Sequence, residues 1–273
     1  MITKKRYLTS IINKYPMIIT FIILIVIILL INKGKKEPAV KTTPLLLKPL
    51  LTEHIHYYNN LTEADKTIFE QRIQTFLDDV RIEGVGLELT DTDRIMVAAS
   101  AVIPIFGFKD WTYRNITNVL LYPDTFNKDF EFEGNEGEGR SIMGMVGSGY
   151  MNGQMILSRA ALTKGFSKNS GKENTGIHEF VHLLDKADGA TDGIPEGFLG
   201  NEYVEPWVKM MHQEIFKINK GRSDIDIYAA TNEAEFFAVV SEYFFSKPDQ
   251  FQTKHPELYE MLSRVFGQDP STK

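Results

Sequence analysis

The sequence predicts an α+β domain, helix-rich, with a small mixed sheet. Three observations predict it. Runs of apolar residues at helical spacing recur from Leu61 to the C-terminus. Only two short stretches, residues 116–122 and 154–157, read as strands. The order of the two kinds of element is mixed, with helices dominant, and there is no internal repeat.

The elements follow in order. Residues 17–31 are apolar except for Thr20, and Ile11 and Ile12 extend the run past Asn13 and Lys14. A helix over about residues 11–31 is long enough to cross a bilayer, and no small-residue cleavage site follows it. Residues 1–32 are therefore expected to form a tail and a single-pass anchor. Lys4, Lys5, Arg6 and Lys14 on one side balance Lys33, Lys35, Lys36 and Lys41 on the other, so charge does not set the orientation. Residues 34–49 hold three prolines and four lysines and read as an extended linker, placed within residues 33–52. The globular domain is expected over residues 53–273. Thr62 caps a helix carrying Ile68, Phe69, Ile73, Phe76 and Leu77, and Gly84 and Gly86 break it. Residues 91–106 form an alanine-rich helix that Pro104 should end early. Residues 116–122 are β-branched and aliphatic and close at Pro123-Asp124. Helices follow at residues 206–218, at 231–245 before Pro248, and at 256–266.

Composition removes several function classes. The 273 residues, 43% hydrophobic, suffice for one sizeable domain with appendages. A net charge of −6 without a basic run in the domain argues against nucleic acid as a partner. There is no cysteine, which excludes disulfide scaffolds, thiolate metal sites and cysteine nucleophiles. Residues 134–149 hold six glycines, but Gly139-x-x-x-x-Gly144 is followed by Met145-Val146 and not by Lys-Ser/Thr. A mobile loop near the site, or a simple connector, fits better than a phosphate loop.

His178-Glu179-Phe180-Val181-His182 reads H-E-x-x-H. On a helix the two histidines lie one turn apart on one face, where both imidazoles can bind one ion. Glu179 follows the first of them and is placed to take a proton from water activated there. Three fixed letters arise by chance in on the order of one in a hundred chains of this size, so the surroundings must add weight. They do. Asn174, Thr175 and Gly176 offer N-cap chemistry; Ile177, Phe180, Val181 and Leu184 form an apolar stripe; Asp188-Gly189 is a stop signal. Asp185, three residues after His182, is either a carboxylate orienting a ligand imidazole or a solvated acid at the helix end.

Zinc hydrolysis of this kind needs a third protein ligand and an open coordination position. His54, His56, His212 and His255 have no metal spacing and are expected to be surface or partly packed residues. Glu235 is the better candidate, with Glu233 a weaker one. Asn232-x-x-Glu235 is equally a capping box, which would use Glu235 locally. Spacing leaves ligand and cap open. If Glu235 is a cap, Glu242 is next in line as ligand; otherwise Glu242, like Asp185, is a carboxylate supporting a ligand.

Six ordered segments carry a resemblance: Thr90-Asp91-Thr92-Asp93-Arg94 before the alanine-rich helix, Leu121-Tyr122-Pro123, residues 178–185, Asp192-Gly193-Ile194-Pro195, residues 228–245, and Pro256-Glu257-Leu258-Tyr259. Over residues 53–273 the chain resembles the Mlc titration factor A peptidases, zinc metallopeptidases related to the catalytic domain of lethal factor. The resemblance implies a zincin-like fold, one zinc per chain held by His178, His182 and Glu235, Glu179 as catalytic base, and Tyr228 facing the reacting carbonyl. It implies a peptide or protein substrate, and favours metal over cap for Glu235. It also suggests that Gln154, Met155, Ile156 and Leu157 form an edge strand that pairs with an extended peptide. The soluble, cytoplasmic members of that family lack the N-terminal anchor expected here; they favour the cytoplasmic face for this domain. The rival reading is a tethered zinc-containing module that sequesters a regulatory protein without proteolysis.

Overall fold

A computed structural model of the chain describes residues 44–124, 144–146 and 153–272. The expected anchor, residues 11–31, lies outside them; among the described residues no helix is long and apolar enough to cross a membrane.

The described chain runs α1 (Pro44–His54), α2 (His56–Asn59), α3 (Glu63–Asp79), β1 (Arg81–Gly84), α4 (Asp91–Ile105), β2 (Ile116–Tyr122), β3 (Gly144–Val146), β4 (Gly153–Ser158), α5 (Arg159–Phe166), α6 (Thr175–Asp185), α7 (Asn201–Asn219), α8 (Glu233–Ser246), α9 (Pro248–Lys254) and α10 (Pro256–Phe266). The caps are those that local chemistry favours. Thr62 Oγ1 accepts the Asp65 N–H at 3.1 Å to start α3. Thr90 and Asp93 form a reciprocal capping box at the start of α4. Pro104 does not cut α4 short: it sits one residue before the end. From Ile95 to Ile105 every residue of α4 is buried. That all-round burial is why its sequence lacks a polar face.

The sheet has the order β1-β2-β4-β3. β1, β2 and β4 are parallel, and β3 runs antiparallel along the free edge of β4. Two sequence expectations change here. Gln154, Met155, Ile156 and Leu157 are in a strand, but not an edge strand: β2 covers one side of β4 and β3 the other, with Leu157 opposite both Leu121 and Gly144. Met155, Ile156 and Leu157 are all buried, the pattern of an interior strand. Among the described residues the outer strands are β1 and β3, the latter three residues inside the glycine-rich segment with no strand pattern of its own. The second change is at the linker. From Pro44 the chain is helical, and Leu47 and Leu51 of α1 are buried in the core. Proline suits the first turn of a helix, and leucine at 47 and 51 puts both side chains on one face.

Behind the sheet, α3, α4, α6 and α8 form the main helical core. Aromatic rings fill the far side of α8: Phe237 stacks on Phe266 with centroids 5.9 Å apart, and Trp207 meets both Phe236 and Phe237.

Candidate metal centre

α6 carries the H-E-x-x-H motif. Asn174 Oδ1 caps it by accepting the Ile177 N–H at 3.1 Å. His178 and His182 project from the same face, and their Nε2 atoms are 3.1 Å apart. α8 crosses that face and supplies Glu235, whose Oε2 lies 3.0 Å from His178 Nε2 and 3.4 Å from His182 Nε2. Two imidazole nitrogens and one carboxylate oxygen thus converge on one point, the donor set of a His₂Glu metal site.

The cap-or-ligand question at Glu235 has a geometric answer. The cap of α8 is Asn232, whose Oδ1 accepts the Glu235 N–H at 2.9 Å. The Glu235 carboxylate turns to the histidines instead of back to Asn232. Burial raises its pKa, yet hydrogen bonds from His178 and His182 outweigh that and hold it well below the usual carboxylate range. Glu233 pairs with exposed His212 at 3.3 Å, away from the cluster. Replacing Glu235 by Ala should weaken metal binding by more than the ~10–100-fold typical of losing a supporting carboxylate. Replacing Asn232 by Ala should cost ~0.5–2 kcal/mol of stability and leave affinity nearly intact. Metal titration and melting of the two variants, beside His178→Ala, check this; normal metal binding by Glu235→Ala would return it to the cap role.

Glu242, two turns along α8, supports the first histidine. Its Oε1 meets His178 Nδ1 at 2.7 Å, and its other oxygen accepts the Asn174 N–H. A proton on Nδ1 shared with Glu242 leaves the Nε2 lone pair directed at the cluster. Burial disfavours charge on His178, but Glu242 and the hydrogen bonds to Glu235 and Glu242 lift its pKa well above the ordinary value. Asp185 is buried, which removes the reading of it as a solvated acid at the helix end. Its Oδ2 accepts the Gly193 N–H at 2.9 Å, while its Oδ1 and His182 Nδ1 are both buried without a hydrogen-bond partner. Burial pushes the Asp185 carboxyl up to about 6.

In the sequence, Asp192-Gly193 stands out only as part of a segment carrying the family resemblance, with no structural role attached. Gly193 sits at φ +74°, donates its N–H to Asp185 at the end of α6, and accepts the Trp207 Nε1–H at 2.8 Å. A β-carbon there would lie 2.2 Å from the Glu233 carbonyl oxygen at the start of α8. This one residue keys the ends of both ligand-bearing helices together.

Glu179, next to His178 in α6, is buried but is not among the converging atoms. Burial raises its pKa against the pull of His178 and His182, which suits a base near neutral pH. It lines a cavity of about 360 Å³ with His178, Tyr228 and Gly144. The Tyr228 ring stacks on His178, with centroids 5.9 Å apart and planes 20° apart. The far wall of the cavity is Val239, Tyr243 and Lys172, the ammonium lying 4.5 Å from the centre of the Tyr243 ring. Asp224 organises that wall by hydrogen-bonding Lys172 (2.7 Å), Tyr243 (3.0 Å) and His255 (2.6 Å). His255 is partly packed, one of the two expectations for it, and bridges Asp224 and the buried Glu214.

The profile of the glucose-regulated metallo-peptidase M90 family matches residues 32–267. The chain belongs to that family. It is 31% identical over 224 residues to Mlc titration factor A of Salmonella gallinarum, covering 78% of this chain and 83% of that one. To Mlc titration factor A of Salmonella arizonae it is again 31% identical, over 78% and 88% of the two chains. To Uncharacterized protein slr2042 of Synechocystis sp. it is 29% identical, over 86% and 88%. Membership makes this a metallopeptidase-type domain, and His178, His182 and Glu235 are the described residues able to hold its metal.

Proposed function

We propose that this chain is a membrane-anchored zinc peptidase in which Glu179 is the general base. One observation carries the reading: a buried carboxylate, Glu179, stands beside a converging His-His-Glu cluster without belonging to it, inside a cavity with room for substrate. A purely structural site has no use for it. The two nitrogens and one oxygen fit zinc, and Glu242 fixes the imidazole that would bind through Nε2. Zinc bound there supplies Lewis-acid polarisation of water and of the peptide carbonyl. Glu179 takes the proton of the attacking water and delivers it to the leaving amine. The Tyr228 hydroxyl donates to the carbonyl oxygen as its negative charge develops. The outer side of β3, which no described strand covers and which lies beside Glu179, offers main-chain groups to an extended peptide.

Purified protein should hydrolyse peptides, lose that activity to a chelator, and regain it with about one equivalent of zinc. Activity indifferent to chelation would end the zinc reading. The rival, a module that binds a regulatory protein, draws on the relatives' name, Mlc titration factor A. The buried, non-ligating Glu179 favours catalysis.

The anchor is part of the proposal. Residues 11–31 should keep the full chain in the membrane fraction through high-salt and carbonate washes, because salt screens charge but does not extract a spanning helix. The cytoplasmic face is proposed from the relatives expected to work there, and protease protection of sealed vesicles reads it. Release of a soluble, active domain requires a deletion ending before Pro44, because α1 buries Leu47 and Leu51. Intact full-length protein in the soluble fraction would refute the anchor.

A further inference from the structure

β3 passes directly over the catalytic helix. Gly144, opposite Leu157 in the β3–β4 ladder, lies against the Glu179 side chain. A β-carbon at 144 would come within 2.7 Å of both Glu179 Cγ and Oε1, and 2.9 Å of Cδ. Real atoms do not approach that closely, so any side chain here must move something. What it meets is not backbone: all three nearest atoms belong to the end of one side chain. Gly144 and Glu179 also line the same cavity wall. The bare strand therefore forms a floor on which the carboxylate rests, and a methyl group would lift it toward the open cavity while leaving sheet and helix in place.

We propose that Gly144 is a positioning residue for the Glu179 carboxylate, acting by the absence of a side chain. The proposal rests on the reading of Glu179 as the base. It deepens that reading by giving the edge strand a second task beside any contact with substrate. The two tasks separate kinetically. Loss of main-chain contacts to the peptide raises KM, whereas a displaced base lowers kcat.

The test is Gly144→Ala in the full-length, zinc-loaded protein. Zinc affinity and melting temperature should match the unmutated protein, since neither a ligand nor backbone is touched. kcat should fall by about 100-fold, the scale of a misplacement near 1 Å, with KM changed little. In a Glu179→Gln background, where the base is already gone, the same substitution should add almost nothing. A rise in KM with kcat unchanged, or an equal loss in both backgrounds, would overturn the proposal. A crystal structure of Gly144→Ala provides a readout independent of activity: the carboxylate should be displaced, and one left in place would also overturn it. If the unmutated protein cleaves no peptide but the carboxylate shifts, the reading of Glu179 as base fails and the positioning stands. Should Gly144→Ala fail to fold, adding Glu179→Ala removes the clashing atoms and should restore folding; persistent misfolding would place the conflict elsewhere and sink the idea.

Discussion

Glu179→Gln should yield a folded, zinc-loaded and nearly inert protein. The substitution keeps the shape of the side chain and removes the proton acceptor. Glu179 is not among the atoms that converge on the metal point, so affinity for the ion should stay within a few-fold. Positioned proton transfer contributes typically ~10²–10⁴-fold. Here one group serves both the attacking water and the leaving amine, so a loss of at least ~10³-fold in kcat is expected, with KM little changed. Zinc content, circular dichroism and steady-state kinetics decide it. Activity near that of the unmutated protein would assign the proton transfer to another residue. If binding of a regulatory protein survives in this variant, binding and catalysis are separate properties of the chain; if no peptide is ever cleaved by the unmutated protein, the binding-module reading takes over.

Gly193→Ala should have the largest effect on stability. The left-handed conformation at φ +74° costs a residue with a β-carbon ~1–2 kcal/mol. The new methyl also meets a backbone carbonyl at 2.2 Å, which cannot turn aside as a flexible side chain can. The start of α8 must shift, and with it Glu235. Destabilisation of at least ~2 kcal/mol is expected, lowering the melting temperature by roughly 4–8 °C or more in a domain of this size. Zinc affinity should fall in parallel, because the third ligand moves relative to the other two. Thermal melting with and without saturating zinc measures both. Unchanged values in both would mean that α6 and α8 keep their register without this turn.

The helices were legible because their signals are local. The cap at Thr62, the stripe through Phe180 and Leu184, and the proline that opens α10 act within a turn or two of where they are written, whereas Pro248 reads only as a stop and α9, which it opens, is missed. The strands were less so. Arg81–Gly84 is four residues with two charges, and Gly144–Val146 is three residues among glycines; neither is long enough to show a period. Their strand character comes from the ladder beside them, which no local window contains. The resemblance makes Gln154 to Leu157 an edge strand, and its outer neighbour β3 carries no signal that could correct it. At the site, the histidine pair was written in its own spacing. Glu235 was ambiguous because a carboxylate three residues after an asparagine serves a cap or a ligand equally well, and only the placement of α6 across from it decides. Gly144 and Gly193 were out of reach altogether. What matters about each is the atom it makes room for, 35 and 40 residues away.

The side chains that could hold a metal come from two helices more than fifty residues apart, in a chain that has no cysteine. A bound ion would therefore do for this fold what a covalent staple does for others, tying distant stretches that the disordered chain has no means of holding together. Because the unfolded chain offers no such cluster, occupancy adds RT ln(1 + [Zn]/Kd) to stability, about 4 kcal/mol when free metal is a thousandfold above Kd. Resistance to heat and to cellular proteolysis would then track metal supply. Scarcity would withdraw the chemistry and the molecule together.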